Sequence, residues 1–355
     1  MDFTRDESQD AVAEVVVSLL ERDSARDAAL WPIIADSGLL AVPLPERFGG
    51  DDMGLLEVGA MLTELARAAA QAPALVTLGF GVLPLKAVGL PDALAEKVFP
   101  AVAEGAVLTA ALHEPGSPFT VKPETTAVTD GATVRVTGRK VAVPYADTAR
   151  WMLVPTDSGI AVVDGDAVGI TRTASPTSDG VPEFSLQLDQ VVIPAEQLLP
   201  GGLTELHRFA LASLGAVADG LLAGVVSLTA EHVRTRQQFG RPLAEFQAVA
   251  QQIADVYVAS RTLHAAACSA TWALAQDEQG AEHLERIDDD LDVLAYTVAA
   301  ELPAAMQKCH HLHGGLGVDI THPLHRYYSQ AKDIARWLGG ESFRLDRLGA
   351  RCSSN

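Results

Sequence analysis

The chain is poor in cysteine, in aromatic residues and in positive charge. Three cysteines among 355 residues (Cys268, Cys309 and Cys352) lie too far apart for a disulfide framework and fit a reducing cytoplasm. Lysine and arginine number 26 against 46 acidic residues, a formal charge of −20, which argues against nucleic acid or an anionic membrane as partner. No apolar run is both long and unpunctuated enough to read as a membrane span. The Ala/Gly-rich stretch after Arg208 comes nearest, and Asp219 interrupts it. The opening MDFTRDESQD lacks the basic and apolar regions of a signal peptide. HExxH and paired CxxC motifs are missing, and the adjacent His310 and His311 face different directions on a helix, so no metal site is expected. There is no internal repeat and no low-complexity tail.

With 48% hydrophobic residues the chain can bury a large core over two or three domains. Residues 1–106 read as helical, starting at a capping-box spacing between Thr4 and Glu7. Residues 107–200 alternate in short segments, with Asp130-Gly131 marking a hairpin, and read as a small β-barrel or sandwich. Residues 201–355 return to helical spacing, with breaks near 240, 280, 314 and 339, as expected of a four-helix bundle. The fold class is therefore α+β, mainly α. The join TRQQFGRPLAEFQ (Thr235 to Gln247) sits between two long apolar helical runs. Gly240 permits its turn, and Pro242 suits the first turn of the next helix. Arg236, Phe239 and Gln247 lie there: a guanidinium fork suits a phosphate and a ring offers a stacking face, though for so short a motif alone a surface arginine and a core phenylalanine at a helical corner are the commoner case.

The segment RQQFGRPLAEFQ resembles the Arg-x-x-Phe-Gly segment of the acyl-CoA dehydrogenases, flavoenzymes that desaturate acyl thioesters. PERFGGDDMG (Pro45 to Gly54), HEPG (His113 to Gly116) and HHLHGGLGVDITHPLHRYYSQAK (His310 to Lys332) resemble further motifs of that family, in order along nearly the whole chain. GGLG is not a dinucleotide fingerprint, because a helix precedes it and not a strand. The resemblance implies an N-terminal helical domain, a middle β-domain and a C-terminal four-helix bundle. It also implies FAD lying extended across a subunit interface. Arg236, Phe239, Phe246 and Gln247 match the set that receives the pyrophosphate and adenosine. His311, Gly314 and Gly315, with Gly317, match the second set.

The chemistry is not where the family keeps it. The resemblance puts the proton-abstracting glutamate at Gly339 or, in some members, at Ala210, and neither residue can take a proton. Glu341 is rotated by about 200° from the first position, and Asp219 by about 180° from the second. The flavin-covering segments read HEPGSPFT and Ala142-Val143-Pro144, without the family's indole or hydroxyl. His113 could act as acid or base or simply pack. The pattern is similar to the shorter subunit of actinobacterial heterotetrameric dehydrogenases that shorten steroid side chains, as in cholesterol breakdown. It implies a non-catalytic chain completing an FAD site for a homologous catalytic subunit in an α2β2 assembly, acting on a steroid side-chain acyl-CoA. Two other readings stay open: a self-sufficient dehydrogenase with a relocated base (Asp219, His113 or Glu341), and a flavin-free interaction protein of the same fold.

Overall fold

The computed structural model describes residues 4–276 and 280–353; the side chain of Cys352 lies outside the described set. The helices are α1 (Glu7–Arg22), α2 (Leu30–Asp36), α3 (Leu55–Arg67), α4 (Leu83–Val88), α5 (Asp92–Ala103), α6 (Leu203–Thr235), α7 (Gln247–Leu274), α8 (Ala281–His313), α9 (Leu324–Trp337) and α10 (Gly340–Ser353). The strands are β1 (Val107–Ala110), β2 (Thr126–Asp130), β3 (Thr133–Pro144), β4 (Ala149–Thr156), β5 (Gly159–Asp164), β6 (Ile170–Ser175), β7 (Glu183–Pro194) and β8 (Leu198–Leu199). The first helix is capped two residues later than the capping-box spacing predicts: the N-cap is Asp6, whose side chain accepts from the Gln9 amide at 3.0 Å. An aspartate caps better than a threonine and adds negative charge at the positive helix end.

The chain divides into two compact units. One comprises Asp27–Val58 and Gln71–Ser213. Its strands form two four-stranded sheets, ordered β1-β4-β5-β8 and β2-β3-β7-β6, antiparallel except for the β1–β4 pair. The hairpin at Asp130-Gly131 is present. Asp130 pairs with Thr133, and Gly131 takes φ +61° at the first loop position, where a side chain would be strained. In the helical part, Leu75–Val82 forms a π-helix whose glycines permit close packing. A Cβ on Gly79 would meet Ser213 Oγ at 2.5 Å, and one on Gly81 would meet Leu108 at 2.5 Å.

The other unit comprises Met1–Arg26, Gly59–Ala70 and Leu214–Asn355. Here α7 packs on α8, and α8 packs on α9 and α10. Glycines again set the spacing: a Cβ on Gly220 would meet the Thr63 carbonyl at 2.2 Å, and one on Gly224 would meet the Arg67 carbonyl at 2.2 Å. The end of α3 is satisfied by side chains of α9, since Tyr327 donates to the Arg67 carbonyl (2.6 Å) and Gln330 to that of Ala69 (3.1 Å). α6 has the length and apolarity of a membrane span despite Asp219, but 83% of its most apolar window is buried inside the protein, as in a core helix.

α10 is held by charge. Asp292 of α8, 3% exposed, faces Arg344 at 3.9 Å, Arg347 at 3.4 Å and Arg351 at 3.3 Å. Burial pushes the Arg344 guanidinium down to about 10, and the Asp292 charge works against that shift. Removing one partner of a buried pair leaves the other uncompensated, which costs about 3–5 kcal/mol. Asp292→Ala should therefore lower the urea midpoint by a matching amount while Asp289→Ala, at an exposed carboxylate, moves it little. Equal small shifts for both would show that the cluster does not hold the helix.

Candidate functional site

α6 ends at Thr235 and α7 begins at Gln247; between them the chain turns back on itself. Gln237 and Gln238 pair with Pro242 and Arg241 in a two-rung antiparallel ladder. Phe239 (φ 53°) and Gly240 (φ 82°) form the tip, both left-handed. A glycine adopts this conformation freely; a phenylalanine does so at a cost of about 1–2 kcal/mol. Pro242 thus belongs to the ladder and not to the first turn of α7, a correction that follows from the rung it makes with Gln237.

The strained residue is also the most exposed large apolar group of this unit. Phe239 is 91% exposed, and its ring meets Phe246 edge-on at 6.1 Å. The Arg241 guanidinium lies 4.2 Å over Phe246. Arg236 is exposed and makes no ion pair among the described residues. Gln247 is the first residue of α7, after an N-cap, Phe246, whose side chain makes no capping hydrogen bond. The free amides of a long helix start are a place for an anion. A solvent-facing ring among cations and helix amides offers a stacking face and anion donors side by side.

The glycine loop closes the other side. α8 ends at His313, and Gly314 (φ 57°) carries the chain into a 3-10 turn, Gly314–Val318. A Cβ on Gly314 or Gly315 would meet nothing within 4 Å, so backbone here is open to a ligand. Gly317 differs from that expectation: its Cβ would strike the His310 ring at 2.6 Å, so it serves packing. His311 is exposed beside the loop. The two segments are joined by rings, because His232, one turn before Arg236, stacks on His313 at 4.3 Å, and His313 tilts against His322 at 5.1 Å. The structure thus brings Arg236, Phe239, Phe246 and Gln247 to the same end of the helices as His311, Gly314 and Gly315.

The two positions that the resemblance assigns to the base lie in different settings. Gly339 (φ 86°) and Gly340 (φ 82°) form the link between α9 and α10, and the buried Arg344 donates to the Leu338 carbonyl at 2.7 Å. Glu341 is exposed in the first turn of α10. Ala210 is fully buried. Asp219 is committed to His264, with Oδ2 and Nδ1 2.9 Å apart. In the β-containing unit, His113 Nδ1 accepts from the Phe119 amide at 3.1 Å. Phe119 is 2% exposed and lies edge-on to His113 at 5.1 Å and to His207 at 5.4 Å, so His113 belongs to a packed aromatic cluster. Ala142 (φ 53°) sits in a bulge of β3, where the register against β7 slips between Lys140 and Val143.

Some features had no sequence signal. Glu114 forms a buried ion pair with Lys140 at 2.8 Å and accepts from both the amide and the hydroxyl of Thr125. Those contacts outweigh its burial and hold it down to about 2. Only the alternation of β3 could have hinted that Lys140 points inward. The His232–His313 stack joins residues too far apart for any local pattern, and Arg241 over Phe246 could have been read only from its place after Gly240.

The chain resembles known proteins along most of its length. The acyl-CoA dehydrogenase N-terminal domain profile matches residues 2–106, and the acyl-CoA dehydrogenase C-terminal domain profile matches residues 206–351. The chain is 47% identical over 354 residues to acyl-CoA dehydrogenase FadE28 of Mycobacterium tuberculosis, covering 99% of each chain. Its fold superimposes on the ChsE4-ChsE5 complex from Mycobacterium tuberculosis with a TM-score of 0.90 and 30% identity, covering 100% of each chain. A variant of the Tcur3481-Tcur3483 steroid ACAD gives a TM-score of 0.89 at 30% identity, over 98% of this chain and 99% of that one.

The histidine stack makes stability depend on pH. Desolvation, with neighbouring histidines adding to it, pushes His313 down to about 4, and desolvation also lowers His232. Between about 4 and the ordinary value of 6.5 the unfolded chain binds more protons than the folded one. This contribution is therefore complete above pH 6.5 and lost as pH falls toward 4. The urea midpoint should drop from pH 7.5 to pH 5, and drop less in His313→Gln. Parallel losses in both proteins would assign the effect elsewhere.

Proposed function

This chain belongs to the acyl-CoA dehydrogenase family, and we propose that it is the base-less subunit of a heteromeric member, completing the FAD site of a homologous catalytic partner. The observation that carries this reading is the pairing, in one chain, of an intact nucleotide-tail surface with two base positions that hold no carboxylate. FAD, when bound, would supply the hydride acceptor for α,β-dehydrogenation of an acyl-CoA. Arg236 would pair with the pyrophosphate, Phe239 and Phe246 would flank the adenosine, and Gln247, His311, Gly314 and Gly315 would offer hydrogen bonds and close backbone approach. The donor set fits the group: cations and open amides for the phosphates, rings for the base. The ring pocket and the proton-abstracting glutamate would come from the partner.

Three features support a partner of homologous fold. Leu316, Val318 and Ile320 expose an apolar edge in and after the glycine loop, and Phe239 is almost bare. The two solved relatives at 30% identity are named as pairs. The commitment of Asp219 to His264 leaves no relocated carboxylate at that place. The substrate is proposed to be a steroid side-chain acyl-CoA, on the steroid named for the Tcur3481-Tcur3483 relative. The chain's acidic balance and cysteine usage fit a cytoplasmic α2β2 assembly.

In the co-purified complex, Arg236→Ala should weaken flavin retention about 10- to 100-fold, the ~1.5–3 kcal/mol of a charge-assisted hydrogen bond. Flavin per complex after gel filtration is the readout; unchanged retention would sink the tail assignment. Gly339→Glu should leave the isolated chain inactive, since the left-handed backbone there opposes a side chain. It should also destabilise the fold by about 1–2 kcal/mol. Dehydrogenation by that variant alone would mean that only the missing carboxylate separates this chain from a complete enzyme.

A further inference from the structure

A second cluster of reactive groups lies away from the nucleotide surface, where α6 and α7 carry three side chains that share one contact. His264 and Cys268 are one helical turn apart on α7, and Asp219 faces them from α6. Asp219 Oδ2 lies 2.9 Å from His264 Nδ1. The Cys268 sulfur lies 3.6 Å from Nε2 and 3.9 Å from Nδ1 of the same ring. Near equality of the two sulfur distances puts the thiol alongside the imidazole and not at the end of one N–H. The ring therefore acts on it through charge more than through in-line proton transfer.

The carboxylate makes that charge lasting. Asp219 is 8% exposed, and a nearly buried anion holds its hydrogen-bonded histidine protonated. The hydrogen bond that His264 donates to Asp219, with the Cys268 contact second, pushes His264 up to about 10. Attraction between an imidazolium and a thiolate is mutual, and thiols beside a fixed cation are the ones that react. Reagents can reach this one: Cys268 is partly exposed and the His264 side chain is 35% exposed. Cys309 is the contrast within the same unit, since it is fully buried and burial pushes its thiol up to about 11.

We propose that Cys268, positioned by His264 and Asp219, is a nucleophilic thiol site that small hydroperoxides and soft electrophiles modify. With a hydroperoxide, the sulfur attacks one peroxide oxygen, an S–O bond forms and the O–O bond breaks. The departing hydroxide or alkoxide takes a proton from water, the sulfur loses two electrons, and the peroxide gains them, leaving a sulfenic acid. The assignment is independent of the flavin-tail reading, because none of the three residues belongs to that surface.

The test is carried out on the purified full-length chain. Alkylation by iodoacetamide at pH 7 is timed by peptide mass spectrometry, and hydrogen peroxide treatment is followed by dimedone trapping. Cys268 should be alkylated about ten times faster in wild type than in His264→Gln, which keeps a hydrogen bond to Asp219 and removes the charge. Asp219→Asn should slow it by a similar factor, and Asp219→Glu should restore it; this pair decides the matter should the His264 variant fail to fold. A dimedone adduct should appear at Cys268 and vanish in Cys268→Ser. Equal alkylation rates in wild type and the charge-removing variants, or no adduct at Cys268, would overturn the proposal.

Discussion

The stack of His313 on His232 is the contact that joins the two loops proposed as the nucleotide surface. It ties the end of α6 to the end of α8, so that the loop after one helix and the loop after the other lie at the same end of the unit. Each loop also has local contacts, the Gln237–Pro242 ladder in one and the His310 ring against Gly317 in the other, while Phe239 is strained and bare and Gly314 and Gly315 have open space around them. Two aromatic rings with depressed basicity, packed face to face, give those loops a rigid base and stay neutral at ordinary pH. The arrangement puts strain and exposure where a ligand would relieve both, and keeps the supporting helices densely packed.

The missing carboxylate reads differently once the backbone is known. Gly339 is not a position from which a side chain was merely trimmed. It sits with Gly340 in a left-handed link, and Arg344 clamps the preceding carbonyl while pairing with Asp292. The local structure now requires glycine. A similar commitment holds in the β-containing unit, where Phe119 fills a left-handed, buried position between His113 and His207. Both places are taken by other local structure, a left-handed glycine link in one and a packed aromatic cluster in the other.

Much of this was legible in the residues. The hairpin at Gly131 follows from turn chemistry, and the helical breaks near 240, 280, 314 and 339 follow from glycine punctuation. The order of helical, β and helical regions follows from periodicity and was strengthened by resemblance. The site residues Arg236, Phe239, Phe246, Gln247, His311, Gly314 and Gly315 were nameable from motif matches, yet nothing in sequence said that Phe239 would be almost fully exposed. What escaped was set by contacts between distant positions: the Glu114–Lys140 pair, the Asp219–His264 pair and the histidine stack. Local caps were also decided by small differences, as when Asp6 displaced Thr4. Gly317 packs against the His310 ring, and a glycine that admits a ligand and one that admits a neighbouring ring look alike in a string of letters.

The division of labour can be read from flavin counted per chain. Expressed alone, this protein should purify colourless and without dehydrogenase activity; co-purified with its homologous partner, it should give an active yellow complex holding one flavin for each pair of unlike chains. A yellow, active homo-oligomer of this chain alone would contradict the account.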